Sequence, residues 1–132
     1  MNIKPAVVSI SLVMAACGYI PGPWLIQEAN AGEKWSDADK AREIVFVALQ
    51  YKDWSQTRYI SDHPDMYYEK NAAPIIGKHP NHARVDAWFA FTTVANIFIV
   101  NALPSKYRPW FQYLSIGLEA HTVHANIKIG IK

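Results

Sequence analysis

Three long stretches of the chain carry apolar residues with the spacing of an α-helix. The first begins at a capping-box pattern, in which Ser36 is the N-cap and Asp39 is the acid three residues later, and it predicts a helix over about 36–61. The same period predicts a second helix over about 83–102 and a third over about 106–127. The pattern therefore predicts an all-α fold, a small bundle of three helices preceded by an N-terminal apolar segment.

The predicted helices lie in a single helical domain over residues 32–132. Between its first two helices, residues 62–82 are rich in proline and histidine and predict a long loop. Loops of this length are unusual in small domains and are often functional. Two apolar pairs, Tyr67-Tyr68 and Ile75-Ile76, predict that this loop is ordered and docks on the bundle.

Residues 1–31 have the layout of a signal peptide or an N-terminal anchor. A single positive charge in residues 1–4 precedes the charge-free apolar run 5–20, which is typical of a secretory signal. Three interpretations stay open. Signal peptidase cleaves after the Ala29-Asn30-Ala31 site, or Cys17 is acylated in a lipobox-like Met-Ala-Ala-Cys, or the segment remains as a membrane anchor. Each of them exports the chain into or across the bacterial inner membrane.

The second predicted helix has the length of a short membrane span. Residues 87–103 form 17 positions without a charge, which is the lower limit for a span. Trp88 lies at one end, and Tyr107 and Trp110 lie just past the other, as interfacial aromatics do. Four polar residues favour instead a core helix of a soluble periplasmic bundle: Thr92, Thr93, Asn96 and Asn101. We take membrane integration as the prediction and the soluble bundle as its alternative.

Composition and charge exclude several classes of protein. The chain has 132 residues, of which 51% are hydrophobic and 18% charged, so it has ample apolar mass for a folded domain. A formal net charge of +2 argues against a nucleic-acid partner. A single cysteine excludes an intramolecular disulfide framework and a cysteine-built zinc site. No catalytic or nucleotide-binding motif occurs, and no cofactor is predicted.

The last predicted helix has two polar faces and two apolar flanks, which predicts that it is sandwiched between other helices or between lipid and protein. Five polar residues share one face through spacings of three and four: Gln112, Ser115, Glu119, Thr122 and Asn126. The opposite face includes His121 and His124, a weak candidate pair for a metal, although such a pair is more often only a polar surface. We predict no metal site.

Polar stripes on the first two helices match the Glu119 face of the third, and the economical arrangement brings them together inside the bundle. The candidate interior polar cluster comprises Asp53, Gln56, Thr57, Asp86, Thr93, Asn96, Ser115, Glu119 and Asn126. An ionised glutamate in a low-dielectric interior is costly unless it is paired or protonated. The cluster is therefore a proton, ion or small-ligand site, or else a set of interhelical hydrogen bonds that fixes helix register.

Several short motifs occur in a characteristic order along the middle of the chain. They are Asp-Trp-Ser-Gln-Thr-Arg at 53–58, Pro-Ile-Ile-Gly-Lys-His-Pro at 74–80 and Arg-Val-Asp at 84–86. This order resembles a family of small, mostly uncharacterised membrane-associated proteins of proteobacteria and their phages. The resemblance covers roughly half of the chain and implies a helical, membrane-linked protein, with no implied activity.

Together these patterns predict a small exported helical membrane protein without catalytic activity. It would have an accessory or regulatory role in an envelope process or a membrane complex, in the inner membrane. Its expected partners are the lipid bilayer and either another membrane protein or a second copy of itself. Two alternatives remain: a periplasmic lipoprotein that acts as a binding module, for example in phage lysis or superinfection exclusion, and a membrane-embedded transporter or enzyme component that uses the interior Glu119 cluster.

Overall fold

The computed structural model describes residues 4–6 and 33–132. Its elements are β1 (Lys4–Ala6), α1 (Asp37–Asp62), β2 (Tyr67–Glu69), α2 (Ala73–Ile76), α3 (His82–Ala102) and α4 (Arg108–Lys128). The fold is mostly helical, as predicted, and the three long helices form the bundle. The predicted signal or anchor segment, residues 1–31, lies outside the described residues except for 4–6, and so does the predicted acylation of Cys17.

The ends of the long helices follow from capping chemistry. At the start of α1, the Asp39 backbone N–H donates to Ser36 Oγ and the Ser36 N–H donates to Asp39 Oδ2, both at 3.0 Å. This is the predicted capping box. At the start of α3, the Arg84 N–H donates to Asn81 Oδ1 at 2.9 Å. A side-chain acceptor thus satisfies one of the unpaired N–H groups at each of these two ends.

The cross-helix contacts give the direction of each helix in the bundle. Hydrogen bonds join Arg42 to Gln112 and Asp53 to Asn126, so α4 runs parallel to α1. Gln50 of α1 accepts a hydrogen bond from Thr92, whereas the later Arg58 contacts the earlier Asp86, so α3 runs antiparallel to both. We call the end at which α1 begins the upper end of the bundle and the end at which α1 stops the lower end.

The segment predicted as a loop over 62–82 contains the short strand β2 and the single helical turn α2. It packs on the bundle through Tyr67 and Ile76, which are buried, while Ile75 is exposed, contrary to its predicted docking role. The carboxylate of Glu69 accepts the backbone N–H groups of Asn71 and Ala72, each at 2.8 Å, and so orders the turn before α2. The backbone of β2 also pairs in parallel with β1.

Two clusters of buried apolar side chains lie at the lower end. One cluster joins α2 to α3 and consists of Ala72, Ile76, Val85, Trp88 and Phe89. The other joins the end of α1 to β2 and to the C-terminal residues, and consists of Ile60, Tyr67 and Ile131. Within the described residues, these two clusters form the hydrophobic core where the 62–82 segment docks, while Phe46, Val100 and Val123 are buried outside both clusters.

Toward the upper end the distribution is reversed, because large apolar side chains point outward from all three helices. We call this set the apolar belt: Ile44, Val45, Val47, Tyr51, Phe91, Val94, Ile97, Phe98, Trp110, Tyr113, Leu114 and Leu118. Among the described helices, α3 is long and apolar enough to cross a membrane, and 33% of its most apolar stretch is buried inside the protein. The rest of that stretch is available to lipid or to another protein.

Candidate functional site

The interior of the bundle is a column of buried polar side chains, which we call the polar seam. It consists of Asp39, Glu43, Gln50, Asp53, Gln56 and Thr57 from α1, Thr92 and Asn96 from α3, and Arg108, Gln112, Ser115, Glu119, Thr122 and Asn126 from α4. Spacings of three, four and seven place these residues on one face of each helix. From Asp39 to Thr57 the seam runs about 27 Å along the axis of α1.

Arg108 lies at the upper end of the seam. Its guanidinium is almost fully buried and donates to the backbone carbonyls of Val100 at 3.1 Å, Leu103 at 2.9 Å, Glu33 at 2.9 Å and Lys34 at 3.4 Å. The first two carbonyls belong to the C-terminal end of α3, where the helix itself supplies no donors. One side chain therefore ties the end of α3 to the start of α4 and to the residues before α1.

Around Arg108 the charges are balanced. Its Nη1 lies 3.9 Å from the carboxylate of Asp39, which also pairs with Arg42. Nearby, the Ser105 N–H donates to Glu33 Oε2 at 2.6 Å, and this hydrogen bond lowers the pKa of the exposed Glu33 carboxyl. At the upper end, the carboxylate of Asp39 thus lies beside both arginines, Arg42 and Arg108.

Gln112 connects α4 to two acidic residues of α1. Its Oε1 accepts from Arg42 Nε at 2.8 Å, and its Nε2 donates to the Asp39 carbonyl at 2.9 Å and to Glu43 Oε2 at 3.1 Å. The carboxamide is suited to this position because it accepts from a cation and donates to an acid at the same time.

In the middle of the seam the contacts join all three helices. Asn96 Nδ2 donates to Ser115 Oγ at 3.1 Å, which links α3 to α4. Gln50 Oε1 accepts from the hydroxyls of Thr92 at 3.3 Å and Thr93 at 3.4 Å, which links α1 to α3. Glu119 follows Ser115 by one helical turn and is fully buried.

The lower part of the seam joins α1 to α4. Asn126 Nδ2 donates to Asp53 Oδ1 at 3.3 Å, and Thr57 Oγ1 donates to the carbonyl of Asp53 at 2.9 Å. Gln56 Nε2 reaches the carbonyls of Val123 at 3.5 Å and Ile131 at 3.4 Å, which are long hydrogen bonds.

Most of the residues predicted for the interior cluster lie in this seam. The structure buries Asp53, Gln56, Thr57, Asn96, Ser115, Glu119 and Asn126, and Thr93 lies half-buried at its edge. Asp86 was assigned wrongly, because it is exposed on the outside of the bundle. The inward face of α3 passes through Val85, Phe89, Thr92 and Asn96 rather than through Asp86 and Ala90.

Asp86 instead holds α1 to α3 from outside. Its carboxylate accepts from Trp54 Nε1 at 2.7 Å and from Arg58 Nη1, with both carboxylate oxygens 2.8 Å away. Arg58 also contacts His82 Nδ1 at 3.0 Å, and His82 Nε2 contacts Asp62 at 2.8 Å. Two of the motifs that carry the family resemblance, Asp-Trp-Ser-Gln-Thr-Arg and Arg-Val-Asp, therefore meet in space.

The sequence pattern placed Gln112 on the inward face of α4 but did not identify five other members of the seam: Asp39, Glu43, Gln50, Thr92 and Arg108. The period that places Asp53 on the inner face of α1 also passes through Gln50, Glu43 and Asp39, so the same spacing extended toward the N-terminus identifies them. On α4 the same spacing extends from Gln112 back by four positions to Arg108, the first residue of the helix.

The two histidines proposed as weak metal ligands, His121 and His124, lie exposed on the opposite face of α4. Within the described residues, no group of three His, Cys, Asp or Glu side chains is arranged to hold a metal ion. The oxygens of the seam follow one another along the helices instead of surrounding one point.

The chemistry of the seam follows from its charge distribution. Both arginines of the network, Arg42 and Arg108, lie at the upper end beside Asp39, whereas the buried carboxyls of Glu43 and Asp53 contact the carboxamides of Gln112 and Asn126 further down. Ionised carboxylates in such surroundings are costly unless they are solvated, paired or protonated. The arrangement can therefore bind protons and water along its length, in addition to holding the helices in register.

Comparison with known proteins identifies no relative: the chain matches no family model, no curated protein sequence and no solved structure.

Proposed function

We propose that this protein is a small integral membrane protein of the bacterial envelope, placed in the inner membrane, which acts without catalysis as an accessory or regulatory component of a membrane complex. The observation that carries the proposal is the reversed distribution of polarity in the upper bundle. Polar and charged side chains lie inside, and the apolar belt lies outside. In a bilayer this distribution is favourable, and in water it is not.

Solvent preference supplies the energetic argument. Transfer of a large apolar side chain from water to an apolar environment is favourable by roughly 1.5–3 kcal/mol. Phe91, Val94 and Phe98 are 61%, 67% and 72% exposed on one helix, and α1 and α4 carry similar residues beside it. Soluble monomers rarely leave so continuous an apolar surface in water. Lipid chains or a partner helix would cover it.

The polar seam has a role in the same proposal. Lipid tails are as apolar as leucine, so helices in a membrane do not associate through the hydrophobic effect. Hydrogen bonds between polar side chains, such as Asn96 to Ser115 and Asn126 to Asp53, help to hold them together. The seam would then hold the three helices together in the upper bundle, as the apolar clusters do at the lower end.

The dimensions of the bundle fit a thin span. The charge-free residues 87–103 of the α3 region extend about 24 Å if helical, somewhat less than a typical hydrocarbon core of about 30 Å. Such a mismatch is relieved by local thinning and by flanking residues that snorkel. Lys52 of α1 is half-buried near the lower edge of this zone, where its long side chain can reach the headgroups.

Cysteine accessibility tests the proposal directly. In a Cys17→Ala background, single cysteines replace Val94 and Phe98 in the apolar belt, and Asp37 serves as the matched control because its side chain is 99% exposed at the upper end. A water-soluble maleimide is applied to opened membranes. We expect rapid labelling of Asp37→Cys and labelling of the two belt cysteines only after denaturation.

Equal labelling rates at all three positions in the native sample would overturn the membrane proposal and favour the soluble periplasmic alternative. Mass spectrometry of the mature N-terminus separates the remaining alternatives. An acylated Cys17 would favour the lipoprotein, whereas an intact Met1 would favour the anchored form. Affinity purification in mild detergent then identifies whether the partner is another membrane protein or a second copy of the chain.

A further inference from the structure

We infer that the polar seam is a hydrated path for protons across the membrane. The inference rests on the proposed membrane location and adds a ligand, the proton, to a column of side chains that otherwise only joins helices. It comes from the imbalance of donors and acceptors within the seam.

Three buried oxygens in the seam accept no hydrogen bond from any described residue. They are Glu43 Oε1 in the upper part, Asn96 Oδ1 in the middle and Gln56 Oε1 in the lower part. Asn96 and Gln56 are fully buried, and Asn96 lies within the seam because its own Nδ2 binds Ser115. The column is therefore short of donors at three successive levels.

The partners of these three oxygens must be hydrogen-bond donors, because all three atoms are acceptors. Buried polar atoms in native proteins find partners, and ordered water commonly supplies the partner for an atom that no protein donor reaches. A metal ion would need several oxygens around one point, and the described residues form no such group of His, Cys, Asp or Glu. Oxygens spread along an axis suit hydrogen-bonded water and the protons that move through it.

Carboxyl groups divide this path into short steps. Below Asp39, whose charge meets Arg42 and Arg108, the seam carries Glu43, Glu119 and then Asp53 in order along the bundle. Each carboxylate takes a proton from the water above it and later returns one to the water below it. Only O–H bonds form and break, no electrons are transferred, and each passage moves one positive charge.

Proton flux into vesicles tests the inference. The full chain is reconstituted into liposomes of phosphatidylcholine and phosphatidylglycerol that enclose a pH-sensitive dye, and a potassium diffusion potential set with valinomycin drives proton entry. We expect faster acidification than in protein-free liposomes and slower flux in deuterium oxide. Replacing external sodium with choline should leave the rate unchanged.

Variants assign the flux to the seam. Glu119→Gln keeps the size and hydrogen-bonding capacity of the side chain but cannot exchange a proton, so its flux should fall to the level of protein-free liposomes. Glu119→Asp should retain part of the flux. Asp37→Asn is the matched control, since Asp37 is exposed outside the seam and pairs with Lys40, and its flux should equal that of the wild type. Circular dichroism and flotation with the liposomes confirm that each variant is folded and inserted.

Each outcome has a separate meaning. Wild-type protein that floats with the liposomes but gives no flux above the protein-free level overturns the proton path and leaves the membrane proposal intact. Failure to float overturns the membrane proposal. Full flux in Glu119→Gln, or a flux that requires sodium, also overturns the assignment of this seam to protons.

Discussion

Replacement of Arg108 gives the most direct measure of how much the interior network contributes to stability. In Arg108→Ala the carbonyl of Val100 remains buried after it loses its 3.1 Å charged donor, while the partly buried carbonyls of Leu103 and Glu33 can recover water. A buried acceptor left without a donor costs about 1–3 kcal/mol. Asp39 also loses one of its two positive neighbours. Because Asp39 keeps Arg42, this loss is smaller than the roughly 3–5 kcal/mol of a buried charge left without a partner, so we expect a total loss of about 2–4 kcal/mol.

The protein is unfolded in detergent micelles with increasing concentrations of denaturant, and far-UV circular dichroism monitors the loss of helix. Arg108→Lys keeps the charge but not the planar fork that reaches several carbonyls, so it should fall between wild type and Arg108→Ala. Arg84→Ala is the matched control, because Arg84 is exposed near the start of α3, and its effect should stay within about 0.5 kcal/mol. A loss below about 1 kcal/mol for Arg108→Ala would refute this account of the upper end.

Four further predictions concern other parts of the chain. Gly77→Ala should lower the free energy of unfolding by about 1–3 kcal/mol, because its φ of +93° and ψ of 159° belong to a region that is essentially restricted to glycine. Gly117→Ala should raise it by about 0.5–1 kcal/mol, since a methyl group there meets no atom within 4 Å and alanine favours a helix; the opposite sign in the same unfolding assay would contradict the argument. Asn96→Ala should cost about 1 kcal/mol, and in Ser115→Ala it should cost measurably less, because the hydrogen bond between them is then already lost; additive losses in this double-mutant cycle would argue against that bond. The pKa of Glu33 is lowered in the folded state, so its stabilising contact is present above the unfolded pKa and is lost as the pH falls through the folded value. The stability difference between wild type and Glu33→Ala should therefore shrink as the pH falls below the ordinary pKa of a glutamate and disappear below the lowered folded pKa. A difference that persists in strong acid would exclude the Ser105 contact as its cause.

The sequence was sufficient for the helices and for much of the interior. Capping residues and apolar period place the start of α1 at Asp37 and the stretch of α3 up to Ala102, because these signals depend on neighbours within one turn. The shared face of Ser115, Glu119 and Asn126 is likewise a property of one helix. All three residues are buried, as predicted. A helix with two apolar flanks packs between its neighbours and turns one polar face toward them.

The sequence did not determine how each helix is rotated about its own axis relative to its neighbours. Asp86 and Asn96 can be drawn on one stripe of α3, yet Asn96 is buried and Asp86 is exposed beside Arg58. The rotation of α3 is fixed by Val85 and Phe89, which pack at the lower end against the docked 62–82 segment. Helical phase identifies residues that travel together, but it carries no information on which neighbour they will face.

The sequence alone therefore determined where the helices lie and which side chains each of them presents together, since both depend on local hydrogen bonding and on the 3.6-residue period. The tertiary structure alone decided that Arg108 reaches the carbonyls of Glu33 and Lys34, and that Gln112 meets Glu43. These pairs lie about seventy positions apart, and no local rule relates them. They form because buried donors and acceptors must find partners wherever the packing of the helices brings them together.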